Sequence, residues 1–196
     1  VATVIDPASG PREAIMDAAV HLFGKQGFSG TSMRDIAKAV GVLPGSLYAH
    51  IASKEAMLVD IVDDGIRRFL DAVRPHIVSG ATPAERLRAM VIAHVSVVAD
   101  NPERSLVVFH QWRFLGDDNI QAAIGKRRDY EQAFIGVIED GIKSGTFGAT
   151  RNRRIAVLSI LGALNWTPEW LTPNGALSPE EVGGVIADTL FMGLRG

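Results

Sequence analysis

Residues 31–58, TSMRDIAKAVGVLPGSLYAHIASKEAML, constrain the fold more tightly than any other stretch of this chain. Met33, Ile36, Ala37 and Val40 recur at the i, i+3, i+4, i+7 spacing of one helix face, which predicts an amphipathic helix over 32–40. Ser32 and Asp35 have the spacing of a capping box, with Asp in the place usually taken by Glu or Gln. Gly41 ends that helix, because glycine tolerates the left-handed conformation a helix stop needs. A second helix, over 44–51, opens on Pro44 at a first-turn position, where the missing N–H does no harm. Two turns cannot stand alone in water, so a neighbouring element must hold them. Leu47 and Ile51 are the expected anchors, packed against Val40, Val42 and the preceding helix.

This is the pattern of a helix-turn-helix, which presents its second helix to the major groove of DNA. Gly45, Ser46, Tyr48, Ala49 and His50 are left facing outward. Small residues early in the helix let the backbone come close to the groove floor, and Tyr48 and His50 offer hydrogen bonds without an obligate charge. Ser53 caps the next helix, and Lys54 in its first turn is placed to approach a phosphate. The expected DNA contacts are therefore Thr31, Ser32, Arg34, Pro44, Gly45, Ser46, Tyr48, Ala49, His50 and Lys54. The bland alternative makes Tyr48 and His50 ordinary half-buried surface residues of a helical domain.

The block resembles the DNA-binding signature of the tetracycline-repressor (TetR) family of one-component bacterial regulators. The likeness includes the preceding helix, PREAIMDAAVHLFGKQGFSGTS, whose expected core face is Ile15, Ala18, Ala19, Leu22 and Phe23. It also includes Gly27-Phe28 ahead of the second helix, and Ser53-Lys54-Glu55 after the third. Ile51 departs from the pattern, which has an aromatic residue there, but it remains an apolar anchor. The match covers about the first third of the chain. It implies a DNA-binding domain over 1–52 and a ligand-binding and dimerisation domain over 53–196.

Charge neither supports nor excludes DNA binding. The net charge is −2, and within 1–52 Arg12, Lys25, Arg34 and Lys38 are balanced by Asp6, Glu13, Asp17 and Asp35. Binding must come from placement, and a dimer doubles the contacts. Hydrophobic content of 47% is ample for a packed core. The longest apolar run, 155–166, is broken by Ser159 and Asn165 and falls short of a membrane span. The start, VATVIDPASG, has neither the basic end nor the apolar stretch of a signal peptide, and without a leading Met it is expected to be trimmed. There is no cysteine, which is compatible with the expected cytoplasmic location.

Downstream punctuation predicts helices over 53–76, 82–100, 101–115, 119–143, 151–166 and 178–194, an all-α fold of about nine helices. Met57, Leu58, Ile61, Val62, Ile66, Phe69 and Val73 form the stripe of the first. Thr82-Pro83-Ala84-Glu85 and Ser178-Pro179-Glu180-Glu181 read as capping boxes, and Gly145 as a break. The helix over 153–166 is apolar on nearly every side, so it is central or covered by a second molecule. With the last helix, where Gly183 and Gly184 permit close approach, it is expected to form the interface of a twofold homodimer.

Met90, His94 and Val97 recur on one face, and His110, Trp112, Phe114, Tyr130, Phe134 and Ile138 are candidate walls of a small-molecule pocket. An ordinary helical core has the same composition. The segment 165–175, NWTPEWLTPNG, resembles the C-terminal domains of TetR-type regulators that answer to acyl-coenzyme A thioesters, including those controlling fatty-acid and steroid breakdown. That resemblance implies an acyl-CoA effector, brings in Trp166, and gives Arg127, within Lys126-Arg127-Arg128, a phosphate to bind. The rival from another class is a helical enzyme using His94 and His110. No metal-ligand spacing, nucleophile elbow, phosphate loop or dinucleotide fingerprint accompanies them. No catalytic residue, metal or cofactor is expected.

Overall fold

A computed structural model describes residues 10–148, 152–172 and 175–194. The first nine residues, the helix start expected at 151, and Pro173 and Asn174 of the Trp-Trp segment lie outside the described residues. Among the described residues every regular element is helical. In order these are α1 (Pro11–Gln26), α2 (Met33–Ala39), α3 (Pro44–Leu47), α4 (Lys54–Ile77), α5 (Pro83–Asp100), α6 (Pro102–Leu106), α7 (Asp117–Lys143), α8 (Arg153–Asn165) and α9 (Pro179–Leu194). The segment expected as one helix over 101–115 is three pieces: α6, a π-helical turn Val107–Gln111, and a 3-10 turn Trp112–Phe114.

The chain forms two compact units. The first holds residues up to Gly65 together with Glu103–Ile124; the second holds Ile66–Pro102 and Gly125 onward. The boundary expected after residue 52 falls just ahead of α4, inside the first unit's span. α4 and α7 each contribute residues to both units.

In the first unit the core of α1 is Ile15, Met16, Ala18, Ala19, Val20 and Phe23, while Leu22, expected there, is half-buried. Ser32 and Asp35 form a full capping box, with the Asp35 N–H donating to Ser32 Oγ at 3.2 Å and the Ser32 N–H donating to Asp35 Oδ2 at 2.8 Å. The Ser32 hydroxyl, which also donates to Asp35 Oδ2, and then the Ser32 N–H hold the Asp35 carboxyl below its usual range. Gly41 adopts φ 72°, which only glycine takes up without strain. The stretch 103–124 belongs to this unit because it is tied to α1 and to the first half of α4. Arg104 reaches Asp64 at 3.3 Å, His21 pairs with Glu103 at 2.9 Å, and the Gly116 N–H donates to Glu55 Oε1 at 2.9 Å. Gly65 is required where α4 meets the π-turn, since a Cβ there would run into Val108.

In the second unit α5 packs along α9. A Cβ on Gly183 would lie 2.8 Å from Ile92 Cα, so this close approach is made to α5 of the same chain. That corrects the expectation that Gly183 and Gly184 serve a twofold mate. Arg86 closes the end of α4, donating to the carbonyls of His76 and Ile77 and to Asp140. Thr82 and Ser178 cap α5 and α9 as their sequences predict.

Candidate nucleic-acid interface

The α-helical part of α3 ends at Leu47, four residues short of the expected end. Turn-type bonds replace the missing turn: the N–H groups of His50 and Ile51 both donate to Leu47 O at 2.9 Å. Leu47 (0% exposed) and Ile51 (5%) are the two anchors, as their spacing implies. Val42, expected to join them, is exposed instead, and its N–H donates to Ala37 O at 3.0 Å. The brace is thus a turn of backbone bonds with two buried side chains.

Everything else on this element faces outward. Pro44, Gly45, Ser46, Tyr48, Ala49 and His50 are all exposed, Tyr48 at 58%. Ser32 and Arg34 are exposed at the start of α2, although the Ser32 hydroxyl is also engaged with Asp35 Oδ2 at 2.6 Å. Ser46 and His50 border a small cleft against Pro11, Ala14 and Ile15 of α1. Leu43, which no sequence pattern singled out, is 77% exposed.

Thr31 and Lys54 are placed differently from the other expected contacts. Thr31 is 2% exposed, and its hydroxyl donates to Gly27 O at 2.9 Å at the end of α1. Lys54 Nζ donates to Phe28 O at 2.8 Å and to Thr31 O at 2.7 Å, and lies 4.2 Å from the Phe28 ring centroid. With its ammonium on two carbonyls and over the Phe28 ring, Lys54 clamps the loop ahead of α2. Gln111, missed by sequence reasoning, completes the clamp by accepting from the Phe28 N–H at 2.9 Å. Its partner lies too far along the chain for any local pattern to reveal it.

The expected ligand residues divide between the units. His110, Trp112 and Phe114 belong with the helix-turn-helix, and Phe114 stacks on Phe28 at 5.8 Å. Met90, His94, Val97, Arg127, Tyr130, Phe134 and Trp166 belong to the second unit. There His94 Nδ1 meets the Tyr130 hydroxyl at 2.9 Å, with Phe69 4.7 Å from the imidazole and Phe134 5.3 Å from the Tyr130 ring. Burial pushes the His94 imidazole down to about 3, outweighing a hydrogen bond that the ring donates to the Leu164 carbonyl, and pushes the Tyr130 phenol up. Met90 and Phe134 are fully buried, Val97 and Arg127 half-buried, and Trp166 is 57% exposed. Among the described residues no three His, Cys, Asp or Glu side chains gather in a metal-holding cluster. No described helix is long and apolar enough to cross a membrane.

Known proteins share this arrangement. Residues 15–61 match the bacterial regulatory proteins of the tetR family, and residues 80–194 match the tetracyclin repressor-like C-terminal domain. The HTH-type transcriptional repressor KstR2 of Rhodococcus jostii is 29% identical over 95% of this chain and 92% of its own. The solved ketosteroid transcriptional regulator KstR2 of Mycobacterium tuberculosis superposes with a TM-score of 0.88 at 23% identity, covering 96% of each chain. AibR, solved in complex with isovaleryl coenzyme A and operator DNA, is 25% identical with a TM-score of 0.81, over 92% of this chain and 97% of its own. The exposed short helix, its clamp and these two matched regions lead to one conclusion: the chain belongs to the TetR family of transcriptional regulators and carries that family's DNA-binding helix-turn-helix.

Proposed function

We propose that this chain is a homodimeric repressor that releases its operator when an acyl-coenzyme A thioester of lipid or steroid breakdown binds, acting in the cytoplasm and catalysing nothing. The observation that carries the DNA half is the outward edge of α3 and the turn after it, where Gly45, Ser46, Tyr48, Ala49 and His50 are exposed while Leu47 is sealed. Pro44, Ser32 and Arg34 flank that edge. Thr31 and Lys54 act behind it, by fixing the loop that leads into α2.

Dimerisation through α8 and α9 is supported by what those helices leave uncovered. Ile155 and Leu158 are exposed along α8, and Val185 and Met192 along α9. Apolar side chains at helical spacing on two helices need a covering surface, and a second copy offers the same face. Two half-sites one helical turn apart also demand a twofold reader.

For the effector, the support is the relative solved with isovaleryl coenzyme A and the KstR2 repressor as a relative. Met90, His94, Val97, Tyr130, Phe134 and Trp166 are the proposed acyl-binding residues of the second unit, with Arg127 for a phosphate. His110, Trp112 and Phe114, also expected as ligand residues, fall in the first unit. A ligand shifts the operator-bound population only if it prefers the released arrangement. Near-complete switching needs roughly ten-thousand-fold preference. The neutral, deeply buried His94 suits an apolar wall better than an acid–base catalyst, which disfavours a helical enzyme built on His94 and His110.

The test is a gel shift on duplex selected from random DNA, titrated with acyl-CoA thioesters of increasing chain length, with thermal melting in parallel. A thioester that raises the melting temperature and releases the duplex is expected. A chain that binds duplex but ignores every thioester refutes the effector; one that binds no duplex at low salt refutes the regulator.

A further inference from the structure

We propose that Leu43 is a base-reading residue that contacts the 5-methyl group of thymine in the major groove; this rests on the DNA-binding role of α3. Leu43 is the N-cap of α3, with extended backbone (φ −73°, ψ 144°) and no side-chain cap bond. Ser, Thr, Asp and Asn are preferred at that position because their oxygens satisfy the first N–H groups of a helix. Five other helices of this chain follow the preference, and α1 has the permissive Gly10 there. Ser32 caps α2, Thr82 caps α5, Asn152 caps α8, and the hydroxyls of Ser53 and Ser178 accept from N–H groups in the first turns of α4 and α9. α3, the shortest described α-helix and the least able to stand alone, has an aliphatic residue there instead.

Packing does not account for the choice. Leu43 is 77% exposed, whereas Leu47 and Ile51, the anchors of the same element, are sealed. Val42 beside it is 42% exposed, and a Cβ on Gly45 would meet nothing. The leading edge of the element is therefore apolar, low and unobstructed. In the major groove, an aliphatic side chain entering at the helix start has one complementary group on the base edges, the thymine methyl. A serine in its place would turn its hydroxyl back onto the helix.

The test uses the full chain and a duplex selected from random double-stranded DNA. Each thymine is replaced in turn by deoxyuridine, which lacks only the methyl. At one thymine per half-site, affinity is expected to fall about fourfold, the factor that follows from burying one methyl-sized group, and about fifteenfold when both half-sites are changed. Leu43→Ser and Leu43→Ala are expected to bind the thymine duplex as weakly as the native chain binds the uracil duplex, and to ignore the exchange. Both variants alter an exposed side chain, and unchanged circular dichroism and dimer size confirm that they fold. A native chain indifferent to deoxyuridine at every position overturns the assignment. So does a Leu43→Ser variant that keeps the whole methyl penalty. If selection enriches no duplex, the DNA-binding role itself fails and takes the assignment with it, so the two failures are told apart.

Discussion

In the unit that carries the helix-turn-helix, Thr31, Lys54 and Gln111 direct their polar atoms at backbone groups of one short stretch, from Gly27 to Thr31. In the other unit, His94 and Tyr130 direct theirs at each other, among Phe69, Phe134 and the aliphatic core. The first arrangement fixes a loop and, through it, the start of α2 and the pose of α3. The second lies within a packed core and makes one buried histidine neutral. A small head with few core residues gains definition from side-chain-to-backbone bonds, since burial alone stabilises small units weakly. A larger helical unit tolerates a sealed polar pair, provided its atoms are satisfied.

The contrast is broken most forcefully at Lys54. Lys54→Met leaves the Phe28 and Thr31 carbonyls without their charged donor and is expected to lower unfolding stability by about 3 kcal/mol. Urea unfolding measures this, and the slope of log affinity against log salt for any duplex should not change. A slope shallower by about two, one phosphate for each subunit of the dimer, with stability intact, means that Lys54 contacts phosphate after all.

The buried pair answers to pH. The His94 pKa is lowered on folding, so between about 3 and 6.5 the unfolded chain binds the extra proton and stability falls as pH falls through that window. From 6.5 to 5 the loss is about 2 kcal/mol, at roughly 1.4 kcal/mol per pH unit. His94→Gln is expected to flatten that limb in urea titrations run at each pH; an unchanged limb places the acid sensitivity elsewhere.

Gly65→Ala forces a methyl into Val108 and is expected to cost about 2 kcal/mol, partly restored by adding Val108→Ala. No recovery in the double variant shows that the clash is not the cause. The smallest effect compares two equivalent caps. Ser32→Ala and Ser178→Ala should each cost about 1 kcal/mol. Only Ser32→Ala should also weaken duplex binding in a gel shift, because only that helix positions α3.

What the sequence disclosed was local. The capping boxes at Ser32, Thr82 and Ser178, the stop at Gly41 and the α4 stripe from Met57 to Val73 each depend on residues within a few positions, and each appears in the fold. The end of α3 did not show, because Leu47 and Ile51 have the same spacing in a full helix and in the turn that replaces one. The π-turn from Val107 to Gln111 did not show either, since an inserted residue shifts the helical phase without leaving a breaker. For the site, exposure along α3 followed from its pattern. The clamp did not: the partners of Lys54 are carbonyls, which no side-chain motif names.

The account depends on the outward edge of α3 fitting a duplex, and the most direct measurement is a specificity ratio. Affinity for a selected duplex is divided by affinity for its scrambled counterpart at one salt concentration, in the native chain and in the Tyr48→Ala/His50→Ala variant. The ratio should collapse by about tenfold or more, the worth of losing one good base contact per subunit, with dimer size and melting temperature unchanged. A ratio that survives in a folded, dimeric variant contradicts the account.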